Sequence, residues 1–342
     1  MKRVVYIGTE GDQELAAEVL RASIESHSSG GVEVRFLNRE MQAARQAVDN
    51  TVNSNTPFSK QRAFVPLLAK SGQAAYLDSD MVVFRDINDL FEHASGAIAC
   101  CPTRQRVRDP QTSVTVFDVA RCRWNPQQVI AEIDADPAKY RPYLYEFAFA
   151  GGVQRTLPPT WNDLEEFEPG VTSLLHFTDM ETQPWLTGAN RLADVWLGCL
   201  RSAVESGRID EQTVLTAVRE LQVRPSLAWQ MRNGWKPTKQ IPFLQRLRDV
   251  LCFVPPYSLE SGIPLGIGRL AARFVKSRAP RIIKYGVLLI GGLVLLARKR
   301  RRVLVTATLA NKDCVINRYT ETVLDDHALP RDVLPERRAS ES

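Results

Sequence analysis

Two aspartates separated by one residue, Asp78 and Asp80, interrupt an otherwise apolar stretch at residues 75–84. In an extended segment alternate side chains point to the same side, so both carboxylates are expected to face one point in space. Two like charges that close are costly unless a cation lies between them, and carboxylate oxygens suit Mg²⁺ or Mn²⁺. The pair therefore indicates a metal site at the end of a buried strand. The competing interpretation is an Asp-Ser-Asp turn that only caps backbone N–H groups, and the motif alone does not decide between them.

The elements that must position this pair begin with a strand, a helix and a strand. Residues 3–7 are rich in β-branched side chains, apolar residues recur at helical spacing from Leu15 to Ile24, and residues 32–37 alternate. This order indicates a parallel α/β unit. The other expected elements are a helix at 58–68 that Pro66 bends or ends, core strands at 114–119 and 172–177, and helices at 125–133, 192–206 and 211–221.

The composition is that of a globular protein, with 44% hydrophobic and 24% charged residues, and the net charge of +5 is unevenly distributed. Between Glu260 and Asp313 there are 12 Lys or Arg residues and no acid. A general nucleic-acid binder would carry its basic surface on the folded domain, so we expect no nucleic-acid partner. The six cysteines form no CxxC pair, which indicates reduced, mostly buried thiols in a cytoplasmic protein.

Five motifs along the chain, one of which is the aspartate pair, occur in a recognisable order and spacing. They are Arg62-Ala63-Phe64-Val65-Pro66, Asp78-Ser79-Asp80, the strand beginning at Thr112, Leu157-Pro158-x-x-Trp161-Asn162, and His176-Phe177-Thr178-Asp179 leading to Gln183-Pro184-Trp185. Over residues 3–190 this set resembles the family-8 retaining glycosyltransferases, the group that includes glycogenin and bacterial lipopolysaccharide galactosyl- and glucosyltransferases.

The resemblance implies a GT-A fold, a Rossmann-like mixed sheet flanked by helices, that uses a nucleoside diphosphate sugar. Asp78 and Asp80 match the DxD motif that holds Mn²⁺ (or Mg²⁺) on the diphosphate of the donor, with UDP-sugar as the expected donor. His176 matches the third metal ligand and Arg62 the arginine that contacts the donor. Thr9 lies in the loop after the first strand, where the family holds the uridine.

Four departures from the family pattern limit what the resemblance implies. Residues 111–113 read Gln-Thr-Ser instead of Asn-Ser-Gly, and the loop after the first strand lacks the Asp-x-x-Tyr pattern. The sugar-binding Asp-Gln pair has no counterpart at 140–149, where Glu146 offers the sole carboxylate. Gln183 replaces the Lys that grips phosphate. Metal and diphosphate binding are therefore expected through Asp78, Asp80, His176, Thr9, Arg62 and Gln183, with Glu146 as a further catalytic candidate and the sugar left open.

The chain divides into a GT-A domain at 1–235, a basic, partly apolar extension at 236–319 and a disordered tail at 320–342. Residues 263–275 fit an interfacial helix, and residues 285–297 are uncharged and precede Arg298-Lys299-Arg300-Arg301-Arg302. A spanning helix needs about 20 apolar residues, so this run is short for one. Either a buried hairpin or membrane association explains it. The absence of acids favours an anionic membrane surface contacted through 263–302.

Three functions compete. The first is a metal-dependent glycosyltransferase, peripheral on the inner face of the cytoplasmic membrane, that transfers a sugar with retention to a glycan or lipid-linked acceptor. The second is a haloacid-dehalogenase-like phosphatase with Asp78 as nucleophile and Asp80 as acid/base, although that motif normally ends the first strand. The third is a non-catalytic nucleotide-sugar-binding membrane adaptor, which the departures from the family pattern motivate.

Overall fold

The computed structural model of the chain describes residues 2–47, 59–102, 112–180 and 182–253. Gln111, the segment 263–302 and the tail 320–342 lie outside these residues, so their expected roles stay predictions. The eight strands described are β1 Arg3–Gly8, β2 Val32–Phe36, β3 Gln73–Asp78, β4 Met81–Val83, β5 Ile98–Cys100, β6 Val114–Asp118, β7 Asp163–Leu164 and β8 Leu174–His176. The ten α-helices described are α1 Glu14–His27, α2 Leu37–Ala43, α3 Val65–Ala69, α4 Ile87–Glu92, α5 Pro126–Ala135, α6 Tyr140–Glu146, α7 Ala193–Glu205, α8 Glu211–Arg219, α9 Ser226–Arg232 and α10 Phe243–Cys252.

The main sheet has five strands in the order β2-β1-β3-β6-β5. Strands β2, β1 and β3 are parallel, whereas β6 is antiparallel to both β3 and β5. The first unit, β1-α1-β2, is the parallel α/β unit that the sequence indicates. This mixed, Rossmann-like sheet flanked by helices confirms the predicted α/β, GT-A-type fold class.

Alternation along the central strands divides the core of the main sheet into two faces. Val4 and Tyr6 belong to one buried cluster together with Tyr76, whereas Val5 and Leu77 belong to the cluster on the opposite face. Because the side-chain period of a strand is two residues, Tyr76 and the strand-ending Asp78 share one face. The direction of Asp78 is thus set by the register of β3.

A second, three-stranded sheet has the order β4-β8-β7. Strand β8 occupies part of the segment 172–177, which the sequence predicts to be a core strand, and its residues are buried. It pairs antiparallel with β4 and parallel with β7, outside the main sheet. Alternation predicts that a segment is a strand but says nothing of which sheet it joins, since the pairing partners are distant in sequence.

The segment expected to be a helix at 58–68 consists, where described, of two helical pieces. A 3₁₀ helix at Ser59–Phe64 is followed by α3, which has Pro66 in its first turn. Proline is tolerated there because the first-turn N–H groups have no intrahelical acceptor. The tighter 3₁₀ turn buries Arg62 at the end of the first piece.

Helices α7 to α10 follow the second sheet and form a third packed region. Helix α1 packs against α7, and α10 packs against α9. Phe253 after α10 is buried in the same cluster as Trp196 of α7. Residues 236–253, which the sequence analysis assigned to the extension, therefore pack on the preceding helices; the boundary near residue 235 itself stays a prediction. Within the described ranges, no helix has both the length and the apolar character needed to cross a bilayer.

Candidate active site

The carboxyl ends of β1 and β3 form the edge at which the candidate residues gather. Gly8 ends β1 and is in register with Asp78, which ends β3. Since β1 has β2 on one side and β3 on the other, the topological switch point of the sheet lies between β1 and β3. Open α/β sheets bind ligands in the crevice outside this point. Asp78 and Thr9, the residue after Gly8, thus lie where such a sheet binds its ligand.

Asp78, Asp80 and His176 come together in one cluster. One ligand atom from each lies within 4.8 Å of the others, and the described part of the chain holds no second group of this kind. Residues 79 and 80 form a bend between β3 and β4 instead of continuing β3. His176 is brought to Asp80 because Met81 is in register with His176 and the Phe177 N–H donates to the Asp80 carbonyl at 2.9 Å. Two sheets, and not alternation within one strand, make the carboxylates converge.

Asn162 orients the imidazole of His176. Nδ1 of His176 lies 2.9 Å from Asn162 Oδ1, so the hydrogen on Nδ1 is donated to the amide oxygen. Nε2 then faces Asp80 Oδ1 at 3.2 Å. Two lone pairs at this distance repel unless a proton or a cation lies between them. Burial lowers the pKa of His176, but the charges of Asp80 and Asp78 outweigh burial and raise that pKa above its usual value.

Asp78 is held from the side of the main sheet. The Tyr76 hydroxyl donates to Asp78 Oδ1 at 2.6 Å, and Arg62 Nη2 lies 3.6 Å from the same oxygen. A Cβ at position 8 would lie 2.4 Å from the Tyr76 hydroxyl, so Gly8 leaves the room that Tyr76 needs. Burial raises the pKa of Asp78; the Arg62 guanidinium opposes this shift and the Asp80 charge adds to it, leaving the pKa above its usual range.

Arg62 is a buried cation, 7% exposed, beside this carboxylate. Its Nη1 donates to Thr112 Oγ1 at 2.5 Å, and its guanidinium lies 4.9 Å from the centroid of the Tyr76 ring. The Thr112 hydroxyl in turn donates to the carbonyl of Leu144 in α6. Arg62 Nε is buried and has no hydrogen-bond acceptor among the described residues. The guanidinium is therefore fixed in place while its Nε–H has no acceptor within the described residues, and a free donor of this kind suits a phosphate oxygen.

Gln183 contacts Asp80 on the side of the second sheet. The side chain is fully buried, and its Nε2 donates to Asp80 Oδ2 and to the Phe177 carbonyl, at 3.1 Å each. Gln183 Oε1 has no hydrogen-bond donor within the described ranges. The family pattern places a phosphate-gripping lysine at this position, whereas the amide here holds a carboxylate. Its direct effect is to fix the orientation of Asp80.

Thr9 and Gln61 contribute further buried polar atoms at the end of β1. Thr9 is 1% exposed, and its hydroxyl has no hydrogen-bond partner in the part of the chain that the structure describes. Gln61 Nε2 donates to Glu10 Oε1 at 2.9 Å, while Gln61 Oε1 has no donor there. Buried polar groups are normally paired, so these oxygens are available to a polar ligand.

Glu146 differs from the other candidate residues in its exposure to solvent. It is the last residue of α6 and is solvent-exposed. No hydrogen bond or ion pair between described residues joins it to Asp78, Asp80 or His176. Its role as a catalytic carboxylate stays a prediction.

Three residues of the candidate site received no role from the sequence: Tyr76 and Asn162, which contact the cluster, and Gln61, which lies beside Glu10. Tyr76 could have been identified, because it lies two residues before Asp78 in one strand and so shares its face. Asn162 stands in a quoted motif, but nothing in that motif shows that it contacts His176, 14 residues away. Gln61 has no local signal at all.

The donor set fits a divalent cation. Two carboxylates and one imidazole, all buried, suit Mn²⁺, and the oxygens also suit Mg²⁺. Asp80 Oδ1 is buried and has no hydrogen-bond donor among the described residues. His176 Nε2 lies 3.2 Å from this oxygen and can donate to it only when protonated. A cation held by Asp78, Asp80 and His176 would remove this conflict.

No protein-family model and no curated protein matches the chain. Solved structures that resemble it include glycosyltransferases. The apo form of the glycosyltransferase GlyE of Streptococcus pneumoniae TIGR4 shares 15% identity over 61% of this chain and 64% of its own, with a TM-score of 0.44. The galactosyltransferase LgtC, solved with donor and acceptor sugar analogs, shares 13% over 60% of this chain and 100% of its own, with a TM-score of 0.41. The apo bifunctional glycosyltransferase WbbM shares 15% over 58% of this chain, with a TM-score of 0.40; the chain spans 49% of WbbM.

Proposed function

We propose that the protein is a metal-dependent glycosyltransferase that takes a sugar from a nucleoside diphosphate donor, UDP in the first instance. The observation that carries the proposal is the convergence of Asp78, Asp80 and His176 at the switch point of the main sheet, with Arg62 beside them. A cation site next to a buried arginine is suited to a diphosphate, whose oxygens need both.

Each residue of the cluster has a task in binding such a donor. Asp78, Asp80 and His176 would hold Mn²⁺ or Mg²⁺, which when bound neutralises the charge that develops on a diphosphate leaving group. Arg62 would donate from its Nε–H to a phosphate oxygen. Thr9 follows β1 at the same edge, and the unpaired oxygens of Thr9 and Gln61 would accept hydrogen bonds from the nucleoside.

The finer features of the proposal come from the family-8 resemblance: transfer with retention, and a glycan or lipid-linked acceptor at the inner face of the cytoplasmic membrane. The membrane contact through 263–302 belongs to this part of the proposal. The departure at 140–149 concerns the sugar contacts. Gln183 takes the place of the phosphate-gripping lysine and instead hydrogen-bonds Asp80. Asp78, Asp80 and His176 match the family pattern.

The phosphatase alternative has less support from the site. Its nucleophile motif normally ends the first strand, whereas Asp78 ends the third strand along the chain. In addition, Asp78 Oδ1 already accepts from Tyr76 and neighbours Arg62, which lowers its freedom to attack phosphate. Release of phosphate from simple esters, lost in Asp78→Asn, would support this alternative over ours.

A thermal-shift panel of nucleotides and nucleotide sugars, each with and without Mn²⁺, tests the proposal. We expect a uridine diphosphate species to stabilise the protein only in the presence of metal, because a cation held by Asp78, Asp80 and His176 would supply the positive charge that a diphosphate needs. A ligand at about one hundred times its Kd adds about 2.7 kcal/mol of stability. The nucleotide sugar that stabilises the protein is then incubated with the protein and a glycan acceptor, and its consumption is measured to test for transfer.

The test variant is Asp80→Ala, which removes a proposed metal ligand. The matched control is Glu92→Ala, which removes an exposed carboxylate at the last residue of α4. The shift should disappear in the first and persist in the second. If none of the nucleotides gives a metal-dependent shift, the proposal is contradicted. Metal-dependent binding of a nucleotide sugar without hydrolysis or transfer would identify the adaptor alternative instead.

A further inference from the structure

The first turns of α10 carry an exposed apolar stripe. Phe243 and Leu244 are each 74% exposed, and Leu247 is 37% exposed. Six large hydrophobic side chains are exposed in the described part of the chain, and three of them lie in these two turns. Single exposed apolar side chains are ordinary, but a contiguous group on one helix indicates an interaction surface.

Basic residues flank this stripe on both sides. At about 100° per residue, Phe243, Leu244 and Leu247 cover one sector of α10, with Arg246 at one edge of the sector and Arg248 at the other. Asp249, the acidic residue of α10, faces α9, where its Oδ1 accepts a hydrogen bond from the Ser226 N–H at 2.8 Å. The outward face of α10 is therefore apolar in the middle and cationic at its borders.

The chain around α10 extends this positive character. No acidic residue occurs between Glu220 and Asp249. Besides the arginines of α10, the exposed cations in this interval are Arg232, Lys236 and Lys239. Long basic side chains beside an apolar stripe can keep their charges at the level of lipid headgroups while their stems lie on the acyl boundary.

The stripe belongs to a fixed element of the fold. Helix α10 packs on α9, and Phe253 immediately after it is 2% exposed. Arg246 ties the start of the helix to the preceding turn, because Nε donates to the Ile241 carbonyl at 2.8 Å and Nη2 to the Lys239 carbonyl at 2.7 Å. The surface is thus presented without an ordering cost at the moment of binding.

From these observations we propose that the stripe of Phe243, Leu244 and Leu247, with its basic borders, docks on the surface of a bilayer that contains anionic lipid. A bilayer satisfies both halves of the pattern, since acyl chains accept the apolar stripe and anionic headgroups attract the borders. A second copy of the same surface would bring arginines against arginines. The proposal is independent of the sugar-transfer reaction and of residues 263–302.

Vesicle co-sedimentation of the full chain tests this surface. The variant is Phe243→Ser/Leu244→Ser/Leu247→Ser, and the matched control is Leu67→Ser/Leu221→Ser, which removes two exposed leucines elsewhere, 51% and 38% exposed. With vesicles of about one third phosphatidylglycerol in phosphatidylcholine, we expect binding by the wild type, at least about tenfold weaker binding by the triple variant and no change in the control. Lys239→Gln/Arg248→Gln should weaken binding several-fold, and pure phosphatidylcholine should bind weakly.

Four outcomes would overturn the docking proposal. Unchanged binding by the triple variant would mean that the bilayer is contacted elsewhere, and equal binding to both vesicle types would remove the role of the basic borders. A lower melting temperature of the triple variant would show that its stripe is covered within the chain. A wild-type dimer that becomes monomeric in the triple variant, without vesicle binding, would identify a second copy as the occupant. None of these results bears on nucleotide binding, so the two proposals can fail separately.

Discussion

The two aspartates of the metal cluster are held in different ways, although one residue separates them. Asp78 lies beside a cation and a phenol, since Arg62 and Tyr76 both contact its Oδ1. Asp80 is held by the neutral amide of Gln183 and by the imidazole of His176. The supports of Asp78 come from the main-sheet side of the molecule, and those of Asp80 come from the second sheet and the turn after it.

This difference shows that the two sides of the site contribute differently to its electrostatics: one side supplies a positive charge and the other supplies neutral groups. A fixed positive charge on one side keeps two neighbouring buried carboxylates compatible with folding, since like charges this close otherwise disfavour ionisation. Neutral groups on the other side fix the direction of Asp80 and His176 without competing with a cation for their charge.

Removal of the positive charge of Arg62 should have the largest effect on stability. Arg62→Leu leaves Asp78 and Asp80 without their buried positive neighbour, and we expect a loss of about 3 kcal/mol in the free energy of unfolding of the metal-free protein. Asp78→Asn, in contrast, removes a charge whose raised pKa shows that the fold disfavours it, so stability should not fall. Urea unfolding in the presence of a chelator measures both, and equal losses would contradict the asymmetry.

The amide side is tested by Gln183→Leu. Loss of the hydrogen bond to Asp80 Oδ2 should lower Mn²⁺ affinity by about 10- to 100-fold, as removal of a group that orients a metal ligand commonly does. Nucleotide affinity at saturating Mn²⁺ should remain unchanged. Titration of the metal and then of the nucleotide separates the two.

A loss of nucleotide affinity in Gln183→Leu would instead assign Gln183 to the binding of the nucleotide-sugar donor. If the metal affinity of Gln183→Leu is normal and its nucleotide affinity falls, the amide contacts phosphate as the lysine of the family does. Asn162→Leu is the companion variant, because Asn162 orients His176 but has no contact with Asp80 among those observed. It should lower metal affinity alone.

The pH dependence of Mn²⁺ binding reports on the imidazole. The pKa of His176 is raised by Asp80 and Asp78 against the effect of burial, so its Nε2 retains a proton to a higher pH than an ordinary histidine. Below that pKa the cation must displace the proton, and apparent affinity should fall by about tenfold per pH unit. In His176→Asn this dependence should vanish. A flat profile in the wild type would exclude His176 as a ligand.

The smallest expected effect is that of the phenol. Tyr76→Phe deletes the hydrogen bond to Asp78 Oδ1 while Arg62 remains, and we expect a change of about 1 kcal/mol in the free energy of unfolding. The matched control is Tyr6→Phe on β1, which is in register with Tyr76 and equally buried but does not contact Asp78. Equal changes in the free energy of unfolding in the two variants would mean that the hydrogen bond to Asp78 does not contribute to stability.

Sequence patterns predicted the elements more accurately than their partners. Strand β1, helix α1 and strand β2 follow from period and composition, and Asn125 caps α5 as Asn-Pro at a helix start predicts. The segment 172–177 was correctly identified as containing a strand but not as part of a separate sheet. The pairing of β8 with β4 depends on residues about ninety positions apart, which no local pattern records.

The sequence by itself determined the chemical groups of the site: two carboxylates one residue apart, a histidine and an arginine in a recognisable order. Tertiary structure decided what holds each group. Asp80 and Gln183 are 103 residues apart, Arg62 and Thr112 are 50 apart, and the Tyr76 contact requires Gly8 on another strand. Hydrogen bonds and burial act over a few ångströms, whatever the distance along the chain. Only the folded arrangement could therefore place a cation beside Asp78 and an amide beside Asp80.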